Sequence, residues 1–268
     1  MTDRTADEST MRMRITRAFL WCAVLVSMAM VVGACGSEEG ESDGAAPDDL
    51  SEFFARSPSC AEDCGQGEVE AANIVTFDRL EYQVPAAGDY VLVLAGDRSV
   101  AVQLRIAEEE PVVTNVAAVL TDYPVEIEAS GMLRIDGRGE DLPSGQFIPL
   151  IDDAAIFREG DVYTWAWPGE GDERFRIDVT TTGNGLRVQS YLPSPLAGLV
   201  AGLHGNGDGS ALNDLTTRSG TTFEADAPAG ALIDFVESWS VGVDESLFGC
   251  EPGEYTSKND LDRFEFGC

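Results

Sequence analysis

From residue 73 onward the sequence is a succession of short β-type runs cut by turn residues, and that rhythm leaves little choice of fold. The runs are 74–77, 80–84, 90–94, 100–106, 112–120, 125–129, 132–135, 148–151, 155–158, 162–167, 174–179 and 186–191. In Val102-Gln103-Leu104-Arg105-Ile106 and Phe175-Arg176-Ile177-Asp178-Val179, apolar and polar side chains alternate strictly. A strand sends successive side chains to opposite faces, so each of these has one face for a core and one for water. Between the runs stand Ala-Gly-Asp, Ser-Gly, Asp-Gly, Pro-Gly-Glu-Gly and Gly-Asn-Gly, which reach positive φ at low steric cost and close hairpins. About a dozen such strands predict an all-β fold, an antiparallel sandwich or barrel with the β-sandwich as the expected form. Only 229–239 departs from this rhythm. Leu232, Phe235, Val236 and Trp239 recur at helical spacing after Pro228, which predicts a short C-terminal helix packed on the sandwich.

The N-terminus reads differently. Arg12, Arg14 and Arg17 precede a run from Ala18 to Val32 whose one polar member is Ser27. At about 15 residues the run is too short for a bilayer core, which takes about 20. A basic start, a short apolar stretch and small residues at its end describe a secretory signal, here over residues 1–34. The end, Val32-Gly33-Ala34-Cys35, resembles a lipobox, where a cysteine thiolate takes a diacylglycerol. Lipidation of Cys35 would make the membrane a partner and place the protein at the outer face of a bacterial cell membrane, in the cell envelope. An ordinary signal peptide with a chance cysteine is the alternative, and Met1, Met11 or Met13 could each be the start. Residues 35–59 then comprise the lipidated cysteine and a flexible acidic tether, rich in Gly, Ser, Glu and Asp. Residues 60–268 form the β domain.

Charge removes whole classes of partner. The chain carries a net charge of −31; residues 1–34 hold four Arg and three acids, so the remainder has 13 basic and 45 acidic side chains, or −32. Such a surface repels nucleic acid and attracts cations. Of six cysteines, Cys22 leaves with the signal and Cys35 takes the lipid. Cys60, Cys64, Cys250 and Cys268 remain, an even number in an oxidising compartment, and are expected to form disulfides of open connectivity. Zinc is the alternative, but Cys-x₃-Cys with Cys-x₁₇-Cys fits its ligand spacing poorly.

One segment carries site chemistry. In Gly202-Leu203-His204-Gly205-Asn206-Gly207-Asp208-Gly209-Ser210-Ala211-Leu212-Asn213-Asp214-Leu215, glycines let the backbone coil while two Asp and two Asn project hard oxygens. Calcium takes 6–8 such oxygens, from carboxylates, amides and carbonyls. An EF-hand loop starting at His204 would place Asn206 and Asp208 correctly. It would also put Leu212 and Leu215 at the ninth and twelfth positions, so the terminal acid is missing and that reading fails.

Four separated motifs, taken together, resemble the von Willebrand factor type D domain over about 73–248. Thr76-Phe77-Asp78-Arg79-Leu80-Glu81-Tyr82 is similar to that family's T-F-D-G-x-x-Y, and Gly88-Asp89-Tyr90-Val91-Leu92-Val93 to its second strand. Gly202 to Asp214 is similar to G-L-C-G-N-x-D-G-x₃-N-D at the same spacing, and Phe235 to Trp239 to F-x-x-S-W. The resemblance implies a Ca2+ site ligated through the side chains of Asp78, Asn206, Asn213 and Asp214. His204 and Asp208 fall at positions that give mainly backbone oxygens. Three carboxylates so crowded would repel one another without a cation, coupling metal to fold. The sequence departs from the family at Arg79, which replaces a glycine, and at Ala201 and His204, which replace both cysteines of C-G-L-C.

The functional expectation is a calcium-stabilised, non-catalytic module for interaction with an extracellular protein or matrix. Two alternatives stand beside it: an envelope hydrolase of glycosidase type, using acids such as Asp152-Asp153 or Glu108-Glu109-Glu110, and a purely structural envelope protein. His204 is the one histidine of the chain, which leaves little room for a histidine-dependent triad. Trp165-Ala166-Trp167 sets two indoles on one strand face, expected in the core beside Tyr163, with a carbohydrate platform as the alternative.

Overall fold

The computed structural model describes residues 65–168 and 174–252. The signal segment, Cys35, the tether, Cys60, Cys64 and Cys268 lie outside the described residues. Seventeen strands follow one another: β1 (Gly65–Glu70), β2 (Asn73–Val75), β3 (Glu81–Gln83), β4 (Gly88–Ala95), β5 (Ala101–Ile106), β6 (Val113–Leu120), β7 (Tyr123–Glu128), β8 (Leu133–Ile135) and β9 (Arg138–Glu140), then β10 (Gln146–Pro149), β11 (Ala155–Glu159), β12 (Val162–Ala166), β13 (Arg176–Thr181), β14 (Leu186–Leu192), β15 (Val200–Ala201), β16 (Leu215–Thr216) and β17 (Thr222–Phe223). The helix α1 is Ala229–Ser238.

Fifteen strands form one antiparallel sheet along the path β10-β11-β12-β13-β14-β6-β5-β4-β15, and β16–β17 is a separate ladder. The all-β, antiparallel expectation is met, with the layers belonging to a single curled sheet. The sheet branches at β14. Along its length β14 pairs with β1, from Gly65↔Leu192 to Glu70↔Arg187, while Leu186↔Val113 alone joins it to β6. From β1 the chain returns through β2 and β3, which the 76–80 turn connects.

The main hydrophobic cluster has Trp165, Trp167, Phe175, Phe235, Ile74, Leu92 and Leu104 as its largest buried side chains, and a small second one joins Ala117, Val119 and Leu247. Burying a side chain of this size contributes about 2–3 kcal/mol. Both indoles lie in this core: Trp167 donates its Nε1–H to Val119 O at 2.9 Å and meets Phe175 edge-on. The carbohydrate platform is thereby excluded. Helix α1 buries Phe235 and Val236, and Trp239 at its end donates to Thr216 O at 3.1 Å, pinning β16.

The strict alternation does not always mean a wet face. Gln103 is 4 % exposed because its amide clamps the backbone that follows α1, donating to Glu245 O at 2.8 Å and accepting from Leu247 N at 2.9 Å. Glu126 does the same for Gly249 N at 3.1 Å. Arg176 and Asp178 are buried as an ion pair at 2.8 Å, with Thr164 donating to Asp178 at 2.8 Å.

Candidate metal centre

Two segments far apart in sequence are sewn together. The early one is the turn between β2 and β3, closed by Thr76 N–H to Leu80 O and by Leu80 N–H to Thr76 Oγ1, both 2.9 Å. The late one is the glycine-rich coil between β15 and β16. Phe77 N–H donates to His204 O at 2.9 Å, Thr76 Oγ1–H to Asp214 Oδ2 at 2.5 Å, and Gly209 N–H to Asp78 Oδ1 at 3.0 Å. Tyr82 adds a fourth stitch, its hydroxyl donating to Leu203 O at 2.5 Å. Gly205 makes the approach possible: its φ is +75°, and a Cβ there would collide with Asp214 Oδ1.

What these bonds leave over defines the site. Asp78 Oδ2, Asn213 Oδ1 and Asp214 Oδ1 are buried and accept no hydrogen bond. A buried polar atom without a partner costs about 1–3 kcal/mol, more when charged, so three on two adjoining segments call for a common explanation. Asp214 feels it electrostatically. Burial raises its carboxyl to about 6, the Thr76 hydroxyl opposes that, and the charge of Asp78 adds to it.

Asp208 behaves otherwise. Its carboxylate accepts from Ser210 N at 2.9 Å, from Asn213 Nδ2 at 2.7 Å and from Asn206 Nδ2 at 3.2 Å, while Asn206 Oδ1 accepts Asp208 N–H. The Asn213 amide, first among these, holds the Asp208 carboxyl below the usual carboxylate range. Asp208 thus meets donors of the coil itself, while Asp78 and Asp214 each keep a spare oxygen. Asp208 and Asn206 brace the coil through local side-chain-to-backbone bonds. Among the described residues no three His, Cys, Asp or Glu side chains converge in the manner of a metal cluster. The donor set is instead two carboxylates, an amide oxygen and nearby carbonyls, all hard oxygens.

A family model for the von Willebrand factor type D domain matches residues 68–221. The chain belongs to that family. The matched span contains both halves of the stitched centre, from Thr76 to Asp214. Comparison with curated proteins gives no match. Von Willebrand factor type D domains are typically extracellular or secreted and generally serve as non-enzymatic adhesion modules.

The two departures from the family pattern have structural counterparts. Arg79 stands at φ +70°, a left-handed conformation that a glycine adopts without strain and an L side chain does not. His204 lies fully buried on Gly67, where an added Cβ would stand 2.6 Å from its Nδ1, and edge-on to Phe77 at 5.2 Å. Burial lowers the imidazole to about 3, against a smaller opposing effect of the Glu68 backbone, so the ring is neutral. Its carbonyl oxygen, the expected backbone donor, already accepts Phe77 N–H and keeps a second lone pair. Gly67 was not singled out by the sequence, and Thr76 and Tyr82 entered it only as motif positions without a role of their own.

The raised carboxyl of Asp214 has a testable sign. The folded state holds that proton more tightly than the unfolded chain, so its contribution to stability is full below about 4 and is lost as pH rises through about 6. In chelator the protein is expected to melt higher at pH 5 than at pH 7.5, by about 1 kcal/mol from this group. Relief of general acidic repulsion acts in the same direction, so Asp214→Asn is the control. Melts of both proteins at the two pH values check it, and an equal pH response in the variant refutes the assignment.

Proposed function

We propose that this von Willebrand factor type D module is a calcium-stabilised, non-catalytic interaction domain, held at the outer face of a bacterial cell membrane by a lipid on Cys35 and presented to an extracellular protein or matrix. The observation that carries the calcium reading is the set of three buried, partnerless oxygens on Asp78, Asn213 and Asp214. Calcium would bind to those oxygens and to carbonyls of the coil, and would screen the Asp78–Asp214 repulsion. Because the two segments are 138 residues apart at Thr76 and Asp214, a shared cation would close a very long loop of chain. A calorimetric titration is expected to show one calcium per chain, and no binding heat would end the reading.

The cell-surface reading rests on the sequence of residues 1–35 and on the family's extracellular habit. Among the described residues no helix is long and apolar enough to cross a membrane. Cys35→Ser is expected to move the protein from the membrane fraction to the soluble fraction. Continued sedimentation with membranes would remove the anchor. Disulfides among Cys60, Cys64, Cys250 and Cys268 complete the proposal; Cys250 is buried, and the other three lie outside the described residues.

The hydrolase alternative has one observation to meet. A cleft of about 340 Å³ is lined by Glu126 and Glu128 beside Arg105 and Arg134. Glu126 is occupied by the Asn115 amide at 2.7 Å and by Gly249 N–H, and Glu128 by the Arg134 guanidinium at 3.1 Å. Carboxylates committed in this way serve the fold.

A further inference from the structure

We infer that Asn206 is a self-modifying residue: its side-chain amide is lost to attack by the Gly207 main-chain nitrogen, and bound calcium holds that reaction back. The calcium gate rests on the reading of the coil as a calcium site; the choice of Asn206 does not.

The chain holds two Asn-Gly pairs, Asn184-Gly185 and Asn206-Gly207. A glycine in second place has no Cβ to shield its nitrogen and leaves the main chain free to turn. That nitrogen gives up its proton and attacks the asparagine Cγ. A new C–N bond closes an imide ring, the Cγ–Nδ2 bond breaks, and the side-chain nitrogen takes up a proton and leaves as ammonia. Water from the solvent then adds to one of the two imide carbonyls. Opening at Cγ leaves an aspartate. Opening at the main-chain carbonyl leaves an isoaspartate, whose main chain runs through the former side chain and is longer by a methylene. Water is consumed, ammonia is released, and nothing is oxidised or reduced.

The two pairs stand in different surroundings. At the turn between β13 and β14, Gly185 N–H donates to Thr182 Oγ1 at 3.1 Å, and Gly185 O accepts from Thr182 N–H at 2.8 Å. A Cβ at Gly185 would stand 2.8 Å from Val113 O, so this nitrogen is both occupied and packed down. In the coil, Gly207 N–H donates no hydrogen bond among the described residues. Asn206 Oδ1 accepts Asp208 N–H at 3.2 Å, so the charge that develops on this oxygen under attack meets a donor already in place. Asn206 Nδ2 donates to Asp208 Oδ2 at 3.2 Å, which draws the amide over the main chain. Both bonds reach only two residues on, and they persist when the coil loosens.

Tertiary contacts are what restrain the reaction. Ring closure turns the main chain at Asn206, whose carbonyl accepts Gly198 N–H at 2.8 Å. On either side of it, Gly205 lies against Asp214, and Gly207, at φ +66°, lies against Leu192 and Phe77. A cation on Asp78, Asn213 and Asp214 would fix the same stretch, so the reaction runs from a locally opened coil. An isoaspartate at 206 adds a methylene between two glycines that must each keep a close approach. The coil then fails to close again, and a chain left without calcium loses its site for good.

Peptide mass mapping of the purified full chain tests this, after ageing at mildly alkaline pH with calcium, with chelator, or in urea. Conversion is read as the mass change from NH₂ to OH, and isoaspartate by enzymatic carboxyl methylation. In chelator Asn206 is expected to convert about fivefold faster than Asn184, the factor implied by the one hydrogen bond that occupies Gly185 N–H. In urea the two should convert alike. Calcium at about ten times its dissociation constant makes the open coil about tenfold rarer, slowing Asn206 by that factor. Asn206 converting no faster than Asn184 overturns the modification, and a ratio that persists in urea overturns its structural cause. Equal Asn206 rates with and without calcium, beside a melting temperature that calcium raises, overturn the gate and leave the calcium site standing. A melt that calcium does not move ends the calcium reading and the gate with it, while the ratio of Asn206 to Asn184 still decides the modification.

Discussion

Chelating calcium from the purified protein is expected to lower its melting temperature by about 5–10 °C. A ligand that binds the folded state alone stabilises it by about 2.7 kcal/mol at a hundredfold excess over its dissociation constant. In a domain of this size each kcal/mol corresponds to roughly 2–4 °C. Two carboxylates facing each other without a cation add to the loss, since Asp78 already raises the carboxyl of Asp214. Asp214→Ala should reproduce the chelated melt and erase the response to added calcium, because it removes a partnerless oxygen and the acceptor of the Thr76 hydroxyl together. Asp152→Ala should melt as the parent does and keep the full response. Asp152 is exposed, in the left-handed region at φ 54°, on a segment that makes none of the stitches described above. Thermal melts of the three proteins with and without chelator decide the matter. A parent melt that ignores chelation takes calcium out of the account.

Much of the sheet was legible because its strands are short alternating or continuously apolar runs bounded by turn residues. The twelve runs of the sequence correspond to β2 through β8 and β10 through β14. The strand that most constrains the site was not legible. Gly65–Glu70 offers Val69 as its one buried apolar residue of any size, and its place is dictated by full pairing with β14 and by Gly67 fitting beneath His204. Neither cue exists until the chain is folded. Arg138–Glu140 was hidden for the opposite reason, being exposed along its whole length. In the coil, the density of Asn and Asp announced oxygen chemistry but not which oxygens are spare. Asp208 and Asn206 satisfy their own neighbourhood two residues on, a local competition that spacing alone does not reveal. Asp78 became visible through family resemblance, since an acid before a β-type run has no signature of its own. Gln103 and Asp178 look like water-facing residues and are buried, because what covers a strand's outer face is a matter of tertiary structure.

Replacing one glycine of the coil should cost far more than replacing another, and the contrast measures how tightly the centre is drawn. Gly205 and Gly209 both hold left-handed backbone, at φ +75° and +89°. An alanine at either therefore meets the same steric penalty, about 1–2 kcal/mol. At Gly209 nothing lies within 4 Å of the new methyl group, and the penalty ends there. At Gly205 the methyl group would overlap Asp214 Oδ1 and press on Asp214 Cβ at 3.0 Å. Asp214 would have to swing away, breaking its bond to Thr76 and withdrawing a donor from the cation. Gly205→Ala is thus expected to lose about 4 kcal/mol in all, a large effect for one methyl group, and to melt roughly 10 °C lower with no response to calcium. Gly209→Ala should melt only a few degrees lower and respond as the parent does. Equal losses in the two variants, each with its calcium response intact, would mean that the coil needs its glycines for backbone shape alone and that the Asp214 oxygen is not held against anything.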